Sequence, residues 1–316
     1  MKRALITGAS GRIGRHLIPS LLDHDYKVRA LVHRTALPDN WANEVEAVET
    51  GLLDDEALAA ALDGVDVVCH LAALMPPAAE DDIFRVNLEG TYRLLQAIKC
   101  CRKKPRFVFA SSDATYCTGW SRGPYTAPID ENTEQRPMLF YGVSKVLGER
   151  LCFHYQDIEK IPTVRLRLVW ILEAREVLDL FIGAPYKEFL VAEDRGKWDD
   201  PCIVKVPLEE DGAPFSEHIC DVRDAAQGVF LAMDREEAAG HVFNIAGPAS
   251  FTYSAAAPWL AAKLGVNAVA GRCSGIHSYT ICIAAARTVL GYQPGRSVFD
   301  SLEDALTLKT ASSIDR

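Results

Sequence analysis

Residues 3–14 read RALITGASGRIG, a short apolar run that breaks at Gly8 and then offers Gly8, Gly11 and Gly14 before a segment with helical spacing up to about residue 23. Each glycine has its own physical reason. The first permits a tight strand-to-helix turn, the second lets backbone approach a pyrophosphate, and the third lets the helix pack closely on the sheet, while the helix N-terminus offers N–H donors to an anion. The spacing is GxxGxxG, one residue wider than the GxGxxG of dinucleotide-binding folds. Its place at the first strand-to-helix turn gives it weight.

Strand-like and helix-like segments alternate outward from that turn. KVRALVHR reads as a second strand and EVEAVE, at 44–49, as a third; DDEALAAALDG is helical from about Asp54. VDVVCHLAA, at 65–73, is apolar nearly throughout, as a parallel strand buried on both faces requires. A helix follows over about 82–101, then a strand RFVFASS at 106–112, a Gly/Pro/Thr-rich loop, a helix over about 138–156 and a strand PTVRLRLVW at 162–170. Repeated strand–helix–strand units predict an α/β fold, a doubly wound parallel sheet with right-handed crossovers. Beyond 170 the alternation fades: 173–217 reads as loops and short elements, followed by a helix near 222–235, a strand HVFNIAG and a helix near 253–264. The division expected is a dinucleotide-binding part over 1–170, with 218–247 returning to it, and a smaller C-terminal substrate lobe from 171–217 and 248–316.

With 316 residues, 49% of them hydrophobic, the chain can bury a sizeable core. A formal charge of −9 and a pI near 5.4 argue against nucleic acid or anionic membrane as partners, since both reward clustered cations. Arg102, Lys103 and Lys104 read as a solvated helix end. Nine cysteines lie without CxxC or CxxH spacing, and Cys100 and Cys101 are adjacent; they are read as reduced, mostly core thiols, with no metal site and no disulfide framework. No signal peptide is evident and no apolar run reaches about 18 residues, so a cytoplasmic protein is expected. His70, on a buried-looking strand, reads as a core hydrogen-bonding group.

TGASGRIG, HLAA at 70–73, VNLEGT at 86–91, ASSDATY at 110–116, YGVSK at 141–145 and GHVFNIAG at 240–247, in this order, resemble the extended short-chain dehydrogenase/reductase family, also called the NAD-dependent epimerase/dehydratase family. The resemblance implies a Rossmann-type fold and nicotinamide chemistry. It places Gly8, Ser10, Gly11, Arg12, Ile13, Gly14, Leu71, Ala72, Ala73 and Asn87 around the cofactor. Members that use NAD usually end the second strand in an acid; here Val32, His33 and Arg34 follow, and a guanidinium grips a 2′-phosphate where a carboxylate repels it. NADP is therefore the cofactor expected, with Arg34 and Arg12 at the phosphate, and NAD the alternative. Leu52 stands where the family often has an aspartate, so adenine contacts there and at Leu53 fall to backbone.

Tyr141 and Lys145, four residues apart, share a helix face. In the family arrangement Tyr141 is the acid/base group, Lys145 the cation that holds the nicotinamide ribose and lowers the phenol, and Ser112 the hydroxyl at the reacting oxygen, with Ser111 a weaker alternative. An ionised phenol near neutrality needs about 4 kcal/mol of anion stabilisation, which a nearby ammonium and a cationic nicotinamide can supply in a desolvated site. Asp113 follows Ser112 without the glutamate that dehydrating members carry next; a turn-forming role suits it better than an acid acting on substrate. Trp170 and Glu217 fall where sugar-nucleotide members have an asparagine and a diphosphate-binding arginine, which favours a smaller or less anionic hydroxyl or carbonyl compound. The function expected is an oxidoreductase acting on a carbinol or carbonyl; alternatives are an epimerase, a dehydratase and, from another class, a dinucleotide-sensing protein. Homodimerisation through the helices at 82–101 and 138–156 is implied by the resemblance.

Overall fold

The computed structural model describes residues 1–314 except 42, 119–124 and 126, with side chains as far as residue 308. Part of the loop expected after RFVFASS thus lies outside the described residues. Seven parallel strands build the central sheet: β1 (Arg3–Thr7), β2 (Lys27–Val32), β3 (Val45–Glu49), β4 (Val67–His70), β5 (Arg106–Ser112), β6 (Thr163–Leu168) and, far later in sequence, β11 (Val242–Ile245). Their order is β11-β6-β5-β4-β1-β2-β3. The direction of winding reverses beside β1, and in such sheets ligands settle outside the carboxyl ends of the strands at that point. Thr7 there sits in register with His70, and Ser112 with Leu168.

Because successive strand residues face opposite ways, the apolar runs feed two cores at once. Ala4, Ile6, Cys69, Val108 and Ala110 join Leu17, Ile18 and Leu21 of α1 (Arg12–Asp23) and Ala225 and Val229 of α7 (Val222–Asp234). Leu5, Val68, Phe107 and Phe109 face the other way, onto Leu58 of α2 (Asp55–Ala61), Leu94, Leu95 and Ile98 of α4 (Gly90–Cys100) and Cys152 and Tyr155 of α5 (Phe140–Asp157). Phe107 and Phe109 are at most 1% exposed, and each such burial contributes roughly 1.5–3 kcal/mol.

The helix expected over 82–101 begins at α3 (Glu80–Ile83) and reaches α4 through a widened turn, Phe84–Glu89, with i→i+5 winding. Asn87 lies in that turn, and such insertions gather at functional sites. After β6 come β7 (Ile171–Leu172), α6 (Ala174–Ile182), β8 (Ile203–Leu208), β9 (Ser216–Glu217) and β10 (Cys220–Asp221); β12 (Phe251–Thr252), α8 (Tyr253–Leu264), β13 (Asn267–Arg272) and α9 (Val298–Ile314) complete the chain. These elements close a third core around Val177, Phe181, Val204, Phe215, Tyr253, Leu260 and Leu302. β8 and β13 pair in parallel across six residues. The region read as loops and short elements therefore includes a nine-residue helix, α6, started by a reciprocal Glu173/Glu176 capping box. α9 and β13 lie outside the elements that hydrophobic periodicity had indicated.

Five of the nine cysteines are buried, and among the described residues no group of His, Cys, Asp or Glu could hold a metal ion. Among the same residues no helix is long and apolar enough to cross a membrane.

Candidate active site

Gly8 adopts φ +70°, and a Cβ there would meet the Ala72 nitrogen at 2.7 Å. Gly14 lies so close to the strand end that a Cβ would stand 2.3 Å from the Ala9 carbonyl oxygen. The turn is thus shaped by missing side chains. α1 starts at an N-cap, Gly11, that makes no side-chain capping bond, leaving first-turn N–H groups open to an anion, as a pyrophosphate requires. Across the turn the Thr7 hydroxyl accepts from Ala72 N–H at 3.1 Å and meets His70 Nδ1 at 2.7 Å; His70 Nε2 meets Thr91 Oγ1 at 3.0 Å. Burial lowers the His70 pKa to about 3, so His70 is a neutral core group, as its strand position predicts. Ser10, Ile13, Leu71, Ala72 and Ala73 border this turn, partly buried. This is a cradle that fits a dinucleotide.

Two of the expected cofactor residues lie differently. Arg12, expected at a phosphate, donates instead to the Ile171 carbonyl at 2.5 Å and pairs with Glu176, which ties α1 to the third core. A carboxylate within contact holds a guanidinium more firmly than open solvent does. Leu53 is 45% exposed beyond β3, so it presents an apolar side chain to solvent. Arg34 is exposed just after β2.

Asn87 is buried, and its side chain accepts from Leu74 N–H at 2.7 Å and donates to the Leu74 carbonyl at 2.9 Å and to Ser144 Oγ at 3.1 Å. It clamps the segment after β4 to α5. α5 carries Tyr141 and Lys145 to the carboxyl end of β5, where Ser112 sits. Lys145 is 3% exposed; its Nζ donates to the Ala110 carbonyl at 2.7 Å and lies 5.1 Å from the Phe109 ring centre and 5.6 Å from that of Tyr141. Burial pulls its pKa down to about 8, against the pull of Cys152 and Glu149.

The phenol of Tyr141 and the Ser112 hydroxyl lie on the same side of the site, at the start of α5 and the end of β5. The phenol's pKa is pushed up to about 12, by burial first, with Ser112 lowering it and the Asp113 carboxylate raising it. The Lys145 ammonium thus donates to a carbonyl and stands over two ring faces.

Asp113 also departs from its expected turn role. The cap of the short turn Asp113–Thr115 is the Ser112 hydroxyl, which accepts from Ala114 N–H at 3.1 Å. Asp113 instead accepts from Ser112 Oγ at 3.1 Å and Thr118 Oγ1 at 3.3 Å. Burial still raises its pKa to about 6. Trp170, between β6 and β7, takes φ +25°, an uncommon conformation for a bulky residue, and packs partly buried against the third core. Glu217 is 3% exposed and accepts from Tyr186 at 2.5 Å and Tyr253 at 2.7 Å; burial lifts its pKa to about 7, with Asp113's charge adding to the rise.

Sequence reasoning missed the group beneath Ser111. Glu149, one helical turn beyond Lys145, accepts from Ser111 Oγ at 2.5 Å, Gln135 Nε2 at 2.9 Å and Arg167 at 3.0 and 2.8 Å. Arg167 also donates to Tyr116 Oη at 2.5 Å and the Glu131 carbonyl at 3.0 Å. The i, i+4, i+8 spacing of Tyr141, Lys145 and Glu149 was the available signal.

The model of the NAD dependent epimerase/dehydratase family matches residues 4–246. The chain is 35% identical over 187 residues to the L-arabinose 1-dehydrogenase (NAD(P)(+)) of Haloferax volcanii, covering 56% of this chain and 70% of that one. It is 27% identical to the uncharacterized UDP-glucose epimerase YtcB of Bacillus subtilis over 96% of both chains. Among solved structures, a short-chain dehydrogenase/reductase superfamily protein from Agrobacterium tumefaciens with bound NAD is 30% identical, with a TM-score of 0.84 over 99% of this chain and 100% of that one.

Proposed function

Since the chain belongs to the NAD-dependent epimerase/dehydratase family, we propose that it is an NAD(P)-dependent oxidoreductase of the extended short-chain type, interconverting a carbinol and a carbonyl on a small polar substrate. When bound, the dinucleotide supplies the hydride acceptor or donor for that carbon. The residues that would hold it are the glycine turn from Gly8 to Gly14 with the first-turn N–H groups of α1, the segment Leu71–Ala73, and Lys145. Tyr141 moves the proton of the substrate hydroxyl, Ser112 stands beside it, and Lys145 contributes positive charge. The observation that carries this reading is the convergence of Ser112, Tyr141 and Lys145 at the end of β5, with Lys145 Nζ on the Ala110 carbonyl and over the Tyr141 ring, on the sheet that ends in the glycine cradle.

Arg34 and the lack of an acid closing β2 support NADP over NAD. Glu217, buried where it would meet an anionic group, supports an uncharged substrate. The similarity to a named UDP-glucose epimerase over 96% of both chains supports a second reading, in which the same residues oxidise and then reduce one molecule. A homodimer is proposed through the turn Phe84–Glu89, α4 and α5, where Phe84, Leu88, Tyr92, Leu147 and Leu151 line an apolar hollow of about 460 Å³, since an uncovered apolar face of this kind suits a self-complementary contact.

The test is a titration with NADP and NAD followed by a panel of L-arabinose, D-glucose, D-glucuronate and UDP-glucose, with reduced-nicotinamide absorbance as readout. Turnover of a neutral aldose with net reduction supports the oxidoreductase; conversion of UDP-glucose with no net change supports the epimerase. Tyr141→Phe is expected to lose at least about a hundredfold in turnover while retaining cofactor affinity. Unimpaired turnover by that variant rejects the assignment.

A further inference from the structure

Arg12 takes no part in the reading above, yet its side chain joins the two halves of the site. It is the first residue of α1, directly after the Gly11 N-cap. From there one guanidinium nitrogen donates to the Ile171 carbonyl of β7 at 2.5 Å and another pairs with Glu176 of α6. Arg15, one turn further on, is folded back to the Ser10 carbonyl at 2.9 Å. The far end of the Arg12 connection is firmly set. Glu176 gives its second oxygen to the Glu173 N–H at 2.8 Å, closing the first turn of α6. Ile171 pairs with Cys220 of β10, and α6 buries Val177, Leu178, Leu180 and Phe181 in the third core. Ile171 also follows closely on Leu168, the register partner of Ser112. The Arg12 side chain thus runs from the phosphate end of the candidate site toward the strand ends that carry its reacting groups.

A count of donors shows what Arg12 still offers. A guanidinium carries five N–H groups in one plane; one is given to Ile171 and one to Glu176, and the others have no partner among the described residues. The side chain is 36% exposed, so a ligand can reach them. We propose that Glu176 is a positioning residue for the dinucleotide: it holds Arg12 beside the opening of α1 with N–H groups free for a phosphate oxygen, and through Arg12 the bound dinucleotide fixes the start of α6. The proposal rests on the dinucleotide reading of the glycine turn and extends it to the substrate lobe.

Two effects of Glu176 oppose each other. A free arginine must give up rotamers to grip a phosphate, and one already held by two partners has given them up. Against that, the Glu176 carboxylate repels a phosphate. Both side chains of the pair are more than a third exposed, so solvent and salt screen that repulsion across the distance to a ligand. The hold on Arg12 is made of hydrogen bonds at contact distance, which screening weakens less, and holding wins. Linkage makes the coupling reciprocal: what α6 lends to dinucleotide affinity, the dinucleotide returns as protection of α6.

The test reads binding, not turnover, with whichever of NADP and NAD binds the wild type more tightly. Glu176→Gln keeps an oxygen for the Glu173 N–H, as a capping box allows, and removes only the charge that holds Arg12. Its dinucleotide Kd, by fluorescence titration, should rise about fivefold, the cost of ordering one long side chain. Arg12→Met should raise Kd at least as far. Adding Glu176→Gln to Arg12→Met should change nothing further, because Glu176 acts through Arg12. In the wild type, the dinucleotide should slow hydrogen exchange over residues 171–182 by about the same factor, and it should not do so in either single variant. An unchanged or lowered Kd in either single variant overturns the proposal. So does a further loss on top of Arg12→Met, or wild-type exchange over 171–182 that ignores the dinucleotide. All of these outcomes leave the dinucleotide reading standing, whereas a wild type that binds neither NADP nor NAD removes that reading and the role of Glu176 together.

Discussion

Replacing Glu149 with leucine should cost the fold about 3–5 kcal/mol, because it leaves a buried guanidinium without its counter-charge. Glu149 and Arg167 are each 7% exposed at the side chain. Burial works against Arg167's charge, and the two-bond contact with Glu149 more than offsets it, holding the guanidinium protonated. Glu149→Leu also strips Ser111 and Gln135 of their acceptor. For a chain of 316 residues, an unfolding entropy of about 2.1 cal/mol/K per residue gives about 660 cal/mol/K, so the loss corresponds to a fall in Tm of roughly 5–8 °C. The assay is scanning calorimetry on Glu149→Leu, Arg167→Met and the double variant. An apolar pair of similar volume is often as stable as the ion pair it replaces, so the double variant should lose at least about 2 kcal/mol less than the two single losses added together. It will not reach wild type, since Arg167 also serves Tyr116 and the Glu131 carbonyl. Either a single-variant loss below about 1 kcal/mol or strict additivity would refute the claim that this pair is a coupled, buried unit.

Gly14→Ala forces a Cβ to within 2.3 Å of the Ala9 carbonyl oxygen, so α1 must shift away from the strand end; the Kd for NADP, read by fluorescence titration, should rise at least about tenfold, and an unchanged Kd would remove the glycine turn from the cofactor site. Glu217, with a folded pKa of about 7 against 4.5 when free, keeps its proton in the folded chain after the unfolded chain has released it. Its contribution to stability is therefore greatest below pH 4.5 and declines by about 3 kcal/mol as pH rises to 7 (2.5 units at 1.36 kcal/mol each). Glu217→Gln should flatten that decline in melting experiments between pH 5 and 8; identical slopes for variant and wild type would place the titrating group elsewhere.

The parallel sheet was legible because burial on both faces leaves its mark on every residue of a strand such as VVCH, and because the glycine spacing fixes where the first helix begins. His70 was legible too: a histidine within such a strand has nowhere to put its nitrogens except into neighbouring hydroxyls, here those of Thr7 and Thr91. The third core was hard to see, since its strands pair with partners about 60 residues away, as β8 does with β13. The role of Arg12 was hidden for the same reason. Its two partners, Ile171 and Glu176, are more than 150 residues distant, and no local pattern states that the helix N-terminus faces them. Asp113 was misread because a short turn can be capped by either of two adjacent polar side chains, and only the folded chain reveals that Ser112 takes the turn and leaves the carboxylate to Ser112 and Thr118.

Burial is what sequence spacing left out of the account of Tyr141 and Lys145. The i, i+4 relation does bring the two groups to one face, but the desolvation that makes a charge effective also opposes both charges. It pulls the Lys145 ammonium down to about 8 and pushes the Tyr141 phenol up to about 12. At pH 7 a phenolate with that pKa costs about 7 kcal/mol to form, from five units at 1.36 kcal/mol each. Lys145 stands over the ring face and donates a hydrogen bond to the Ala110 carbonyl. Asp113 makes the phenolate harder still to form. An acid/base site that works through Tyr141 therefore needs a further positive charge brought to the phenolic oxygen, which an oxidised nicotinamide would supply on binding.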